Sequence, residues 1–517
     1  MKVIIVGGGV GGLTAALMLH ARGMDCEIYE QSDAIRELGV GINTLPHAIK
    51  ELAELGLLDR LDAAGIRTYE LFYTNRFGQE IWRELRGTDA GYEVPQFSIH
   101  RGRLQAVIYQ AVRARLGESR IHTSHRLGHF REDEGGVSAY FFDRHGSHRA
   151  SARGDVLVGA DGIHSTVRET LYPHEGPARW NGAMLWRGAV DWPTFLTGRS
   201  MVIAGGMAAK LVVYPIAEGT RPDRRLTNWA VVARIGDGST PPPNKEDWSR
   251  EGRFEELMPH VQRFRIPYVN AQALIEATPE FWEYPMCDRD PLPRWSHGRV
   301  TLLGDAAHPM YPVGSNGASQ AILDARCLAD RLRSAEHVVH ALWMYEQERL
   351  PMTAQIVRMN RKGGPEGVID AVEERARGRH PEEALHRLIR LVEDAVGNPD
   401  RQPDQVPGAR HEILTVDQEV EAALEHVDEF FLGRMDVRRH ERARGERRVP
   451  SERMLGHLLG HVGLAEDLPD DAVNAGVGLG DACGQRLHGA RTPLVLPLAS
   501  AVWMFKRKIA QQNDAGR

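Results

Sequence analysis

Hydrophobic and polar positions along the chain fall into two patterns that change at recognisable places. Short unbroken apolar runs, KVIIV from Lys2, CEIY from Cys26, VLVGA from Val156 and VTLLG from Val300, have the pattern of strands buried on both faces, as parallel strands are. GLTAALMLHARG from Gly12 and ASQAILDARCLADRL from Ala318 have helical spacing. Between residues 182 and 235 the pattern changes to GAMLWRGAV, SMVIAGG, AKLVVYPI and NWAVVARI, cut by Gly, Pro and Asp turns. That run predicts a mainly antiparallel sheet inserted into the parallel fold, one face of which can roof a pocket. Further on, PEGVIDAVEERARGRHPEEALHRLIRLVEDAV reads as two helices broken near Arg379–Pro381, NPDRQPDQVPG as a linker, and DQEVEAALEHVDEFFLGRM as another helix.

The first strand runs directly into Gly7, Gly9 and Gly12, spaced GxGxxG. Such glycines make a tight turn, let backbone approach a pyrophosphate, and let the following helix pack on its strand. The second strand ends at Glu30, where the fingerprint wants an acid for an adenosine ribose, and no arginine replaces it. A dinucleotide is predicted; this motif alone leaves FAD and NAD both open. A second strand-to-turn junction, GDVLVGADGIHSTVRETL, places Asp161 and Gly162 where the acid can cap the next helix or hold a cofactor. In the third, LLGDAAHPMYPVGSNGASQAILDA, Asp305 ends a buried strand. A glycine-broken loop then opens a helix whose free N–H groups and dipole face whatever sits there.

Together and in this order, GGGVGG, GADGIHSTVR and LLGDAAHPMYPVGSNGASQAILDA resemble the three signatures of the class A FAD-dependent aromatic monooxygenases, over roughly Met1 to Asp370. GVGINTLPHAIKELAELGL and SIHRGRLQAVI extend the likeness. SIHRGRLQ, MLWRGAV, EYPMCDRDPLPRW and YPVGSNGASQAILDA are most similar to the phenazine-1-carboxylate monooxygenase branch and, more distantly, to salicylate hydroxylase. The resemblance implies that FAD is bound by Gly7, Gly9, Gly12, Glu30, Gly41, Arg101, Leu127, Asp161, Gly162, Gly304, Asp305, Pro312, Gly314, Asn316 and Gly317. Asp305 is expected on the ribityl chain, residues 312–317 beside the flavin ring, and Arg101 as a flavin-contacting arginine. The usual GQG of the loop is here Gly314-Ser315-Asn316-Gly317, so Asn316 is either a flavin contact or only a shaper of the turn.

The implied fold class is α/β: a Rossmann-like FAD-binding domain (residues 1–175 and 285–365), an inserted mainly antiparallel substrate-binding β-sheet domain (176–284), a helical C-terminal region (366–440), and an extension of unknown role (441–517). The implied chemistry is a two-step cycle. NADH or NADPH reduces FAD, and O2 then adds at flavin C4a to give a hydroperoxide that oxygenates a small aromatic or polycyclic substrate. In the branch named, a carboxylate can be lost as the hydroxyl enters. Trp186, Arg187, Tyr214 and Trp229 are the candidate pocket residues, with Arg187 placed to orient a carboxylate. No residue is certain to act as a catalytic acid, base or nucleophile, and His308 is expected to make structural hydrogen bonds. The nicotinamide is expected to bind transiently, since no second strand–glycine–helix fingerprint follows the first.

Composition narrows the alternatives. With 42% hydrophobic and 26% charged residues the chain reads as an ordinary globular protein, and a net charge of −6 gives no reason to expect nucleic acid. Four scattered cysteines without a CxxC argue against a disulfide framework, a zinc site or a dithiol centre, and no metal is expected. The apolar start is broken by glycines, unlike a secretory signal, and PLVLPLASAVWMF at Pro493–Phe505 is too short to span a bilayer. The cytoplasm, no membrane span, and a monomer or homodimer are therefore expected. RRHERARGERR has acids among its arginines and reads as a solvated face. A flavin epoxidase or Baeyer–Villiger oxygenase, an NAD-dependent dehydrogenase using the first motif alone, and a non-catalytic flavin redox sensor are the alternatives.

Overall fold

The computed structural model describes residues 1–35, 39–243 and 250–370. The expected helices and linker beyond residue 370, the extension and its basic cluster lie outside the described residues.

Five parallel strands form one sheet in the order Val300–Leu302, Val156–Gly159, Lys2–Val6, Asp25–Tyr29, Ile121–His122. The first three are the apolar runs that end at the three motifs, so their carboxyl ends lie side by side. Ligands bind in such folds at those ends. Helices Val10–His20 and Gly317–Ser334 follow the first and third motifs and pack on each other, burying Leu13, Leu17, Ile322 and Leu328. Burying a Leu or Ile side chain stabilises the fold by about 1.5–3 kcal/mol, which fixes both motifs to one rigid layer.

The second sheet has seven strands, in the order Phe281–Asp288, Arg179–Pro193, Arg224–Arg234, Ala209–Glu218, Ser200–Ala204, Glu70–Thr74, Glu80–Leu85. The four strands predicted from alternation are present. The sheet reaches beyond residues 176–284, because Glu70–Thr74 pairs in parallel with Ser200–Ala204 and brings Glu80–Leu85 with it. That parallel pairing spans more than a hundred residues, and no local pattern announces it.

Alternation gives the sheet two faces. The outer face, with Met184, Trp186, Val213, Trp229 and Val231, packs against helices Phe254–Val261 and Ala271–Glu276. The inner face, with Ala183, Leu185, Ala230, Val232 and Met286, packs against Tyr311 and Val313 of the third motif. A small sheet, Gly41–Thr44, Phe97–His100 and Gly65–Arg67, leads into helix Arg101–Leu116. A further three-stranded sheet, Arg126–Asp133, Gly136–Phe142 and His148–Gly154, buries Leu127, Val137 and Phe141. Cys26, Cys287 and Cys327 are buried free thiols, and burial pushes Cys26 up to about 12 and Cys327 up as well. Among the described residues no helix is long and apolar enough to cross a membrane, and no group of His, Cys, Asp and Glu could hold a metal ion.

Candidate active site

The glycine turn after Lys2–Val6 is built by close approach. Gly7 takes φ +108°, and a Cβ there would lie 2.3 Å from the Ala160 carbonyl oxygen. A Cβ on Gly12 would lie 2.1 Å from the Gly7 carbonyl oxygen, whereas one on Gly9 would meet nothing within 4 Å. Gly7 and Gly12 therefore make the turn, and Gly9 presents bare backbone to open space at a helix amino end, where anions are favoured. Glu30 accepts from the Gly8 N–H at 2.7 Å and the Ser32 N–H at 2.8 Å, one on each oxygen, so the carboxylate is fixed while keeping further lone pairs. Gln105, one turn into helix Arg101–Leu116, donates to the Gly8 carbonyl at 2.8 Å. Sequence spacing gave no sign of this second clamp.

Asp161 caps its helix. It accepts from Ser165 Oγ at 2.5 Å and from the Thr166 N–H at 2.8 Å, and burial raises its pKa. Gly162 beside it, at φ +78°, has open space where a Cβ would be. Arg168, buried in the same motif, reaches across to the third: it donates to Ala306 O at 3.0 Å, Ala307 O at 2.9 Å and Glu175 Oε2 at 2.8 Å. The second motif is thereby a brace for the segment that follows Asp305.

Asp305 lies deep in the protein, where burial raises its pKa, yet its side chain is solvent-exposed. Arg101 has the same combination: desolvation lowers its pKa, Asp305 raises it, and the residue is exposed. Depth and exposure coexist only if both side chains face an open cleft. Arg101 also occupies the first turn of its helix, where the dipole disfavours a cation. Such a local conflict marks a site under functional demand. Arg101 in turn acts on Arg187, whose pKa is pushed down to about 9 by burial first and Arg101 second, with Tyr214 and Tyr284 opposing. It stays cationic at neutral pH. Arg187, Tyr214 and Tyr284 thus form a cationic, aromatic row on the inner sheet face, with Arg101 facing it from the start of its helix.

Two of the four expected pocket residues face elsewhere. Trp186 and Trp229, 2% and 0% exposed, belong to the outer face; Trp186 stacks on His260, and Trp229 Nε1 donates to Thr278 Oγ1 at 2.8 Å. The reason is the strand period of two: Trp186 and Arg187 are neighbours, so one is core when the other faces the cleft. The Leu127 side chain is buried in the main hydrophobic core, so the residue has only backbone to offer a cofactor. Gly41 donates its N–H to Asn228 Oδ1 at 2.7 Å, and a Cβ there would lie 2.6 Å from Asn228 Cγ. It is a glycine because the inner sheet face presses on it.

The loop Pro312–Gly317 turns through Gly314 at φ +67° and Ser315 at φ +59° before helix Gly317–Ser334. Asn316 donates to the Gly314 carbonyl and accepts from Gln320 Nε2, both at 3.3 Å, so its side chain shapes the turn. Around Gly317, the nearest atom to a Cβ would be Asp305 Oδ1, 4.0 Å away. His308 pairs with Asp324 at 2.5 Å, a buried carboxylate sixteen residues away that sequence reading did not connect to it. Burial pushes Asp324 up, but His308 and Arg349 bring it below the usual carboxylate range.

The residues suit an FAD. A fixed acid at Glu30, bare helix-end backbone at Gly9 and a deep open carboxylate at Asp305 offer partners for a ribose, a pyrophosphate and a polyol chain, with uncrowded backbone at Gly162 and Gly317.

A family model described as an FAD binding domain matches residues 1–360. The chain is 42% identical over 366 residues to a phenazine 1,6-dicarboxylic acid hydroxylase of Lysobacter antibioticus, covering 69% of this chain and 89% of the relative. It is 31% identical to a 3-hydroxybenzoate 6-hydroxylase of Polaromonas naphthalenivorans, covering 77% and 97%. Among solved structures it is similar to Klebsiella pneumoniae HpxO complexed with FAD and uric acid, with TM-score 0.60, 25% identity, and 75% and 93% of the two chains covered.

Proposed function

Since the chain belongs to the FAD binding domain family, and within it to the FAD-dependent aromatic monooxygenases, we propose that its cleft hydroxylates a carboxylated aromatic or polycyclic substrate held between the bound flavin and Arg187. The observation that carries this reading is the inner sheet face: a cation, Arg187, beside two phenols and packed next to the loop of the third motif.

When bound, FAD supplies the redox chemistry, accepting hydride from NADH or NADPH and activating O2. The chain's own residues bind and orient. Gly7, Gly9 and Gly12 with the helix after them would take the pyrophosphate, Glu30 the adenosine ribose, and Asp305 the ribityl hydroxyls. Gly304, Gly314 and Gly317 would shape the loops beside the ring, and the dipole of helix Gly317–Ser334 would favour negative charge there. Arg101 adds a cation at the same cleft. Arg187 would hold a substrate carboxylate by a charge-assisted bond, with Tyr214 and Tyr284 flanking the ring. Ala183, Leu185, Ala230 and Met286 exclude water from that face. The proposed division gives the cofactor to the parallel-sheet part and the substrate to the seven-stranded sheet. The nicotinamide would visit the cleft by Gly162 without a cradle of its own. Buried free thiols support a reducing cytoplasm.

The test is a panel of aromatic acids and their decarboxylated analogues assayed for stimulated NADH and NADPH oxidation, with mass spectrometry for an added oxygen or lost carbon dioxide. Stimulation by the acids with oxygen incorporated is the expected result. Equal response to analogues without the carboxylate would overturn the role of Arg187, and oxidation without oxygen transfer would favour the redox-sensor alternative.

A further inference from the structure

One buried carboxylate is linked to both loops read as cofactor-facing, to the first directly and to the second through Arg349. Asp324 sits on helix Gly317–Ser334 and is fully buried. Its Oδ2 accepts from the Gly304 N–H at 3.1 Å and from His308 Nε2 at 2.5 Å, which anchors the turn that presents Asp305. Its Oδ1 accepts from Arg349 Nε at 2.7 Å, on helix Val338–Arg361. The same guanidinium donates through Nη2 to Gln320 Oε1 at 2.6 Å. Gln320 then donates to Asn316 Oδ1, and Asn316 to the Gly314 carbonyl, each at 3.3 Å. A continuous line of hydrogen bonds therefore runs from Gly304, through Asp324 and Arg349, to Gly314.

We propose that the Asp324–Arg349 pair is the positioning element that holds the Gly304–Asp305 turn and the Gly314–Gly317 loop in register, and so sets both the affinity and the electronic environment of the flavin. The inference rests on the reading of these loops as the FAD cradle. Neither residue touches the cleft: Arg349, like Asp324, is buried, so the action is through the loops. Simple cohesion does not explain the pair, because apolar residues of similar volume hold helices together at least as well as a buried ion pair. An ion pair adds direction. The two oxygens of Asp324 face different partners, and the planar guanidinium of Arg349 points one nitrogen at Asp324 and another at Gln320. Arg168 holds the carbonyls of Ala306 and Ala307 independently, so the turn keeps its shape without Arg349. What is lost is its register with the second loop.

The experiment uses the full-length holoenzyme and three variants, Gln320→Leu, Arg349→Lys and Arg349→Met, measuring FAD dissociation constant, visible flavin spectrum, midpoint potential and melting temperature. Gln320→Leu cuts only the arm to Gly314 and is expected to shift the flavin band and potential with little change in melting. Arg349→Lys keeps the charge against Asp324 but not the planar fork, and is expected to resemble Gln320→Leu. Arg349→Met is expected to weaken FAD by roughly tenfold. Wild-type affinity, spectrum and potential in Gln320→Leu and Arg349→Lys would overturn the proposal, whether or not Arg349→Met folds. Asp305→Ala separates the two ideas. Full FAD retention in that variant defeats the cradle reading itself, whereas loss there with an unperturbed flavin in the other variants defeats only the brace.

Discussion

The glycine turn after Lys2–Val6 and the strand Arg179–Pro193 reach the cleft by opposite means. In the turn, the working groups are backbone atoms, and their direction follows from where side chains are missing: a Cβ on Gly7 or Gly12 would lie 2.3 Å or 2.1 Å from a carbonyl oxygen, too close for any side chain. In the strand the working groups are side chains, and direction follows from parity alone, so Trp186 and Arg187 have opposite surroundings. Function carried by this backbone turn leaves no room for a side chain at Gly7 or Gly12. Function carried by a strand face tolerates changes at every second residue.

The largest effect expected from this contrast is at Gly12. Gly12→Ala drives a methyl into the Gly7 carbonyl, costs about 1–3 kcal/mol of stability, and should yield colourless protein with a lowered melting temperature. A yellow, normally stable variant would break the comparison. Next is Asp305→Ala, which removes a charged acceptor from the cleft and should weaken FAD by about 1.5–3 kcal/mol, read by titration of apoprotein. Third, Arg187→Met should raise KM for carboxylated substrates roughly tenfold with a smaller change in kcat; an unchanged KM would remove Arg187 from the substrate. The smallest is the control on the opposite face. Trp229→Phe loses the bond to Thr278, about 1 kcal/mol of stability, and KM should not move. A KM change there as large as that of Arg187→Met would mean that the two faces are not functionally separate.

The same contrast explains what was legible in the sequence. Glycine spacing and strand-end acids are local, and the parallel sheet they predict is present with the three motif strands adjacent. The parity of strand Arg179–Pro193 depended on which face turned inward, a fact set by Tyr311 and Val313 packing on it from more than a hundred residues away in sequence. Trp186 and Trp229 attract attention as large aromatics, but size favours the core as readily as a pocket. Asp324 and Arg349 were invisible for the same reason: a helix interior carboxylate and a helix interior arginine become a pair only when the two helices pack. The strands Glu70–Thr74 and Glu80–Leu85 join a sheet formed mostly by much later residues, a pairing that no local pattern encodes.

The three described cysteines bear on the chemical durability of the molecule. Oxidation of sulfur by peroxides starts from the thiolate, and its rate follows the ionised fraction and the access of reagent. Cys26, held up to about 12 by burial, is almost entirely protonated at neutral pH, and Cys327 is shifted in the same direction. Cys287 is likewise enclosed. A catalyst that handles reduced oxygen releases peroxide whenever a turnover miscarries, and an accessible thiolate would be an early target. Kept as thiols inside apolar packing, these sulfurs form an interior that hydrogen peroxide and alkylating reagents attack slowly while the fold is intact and quickly once it opens.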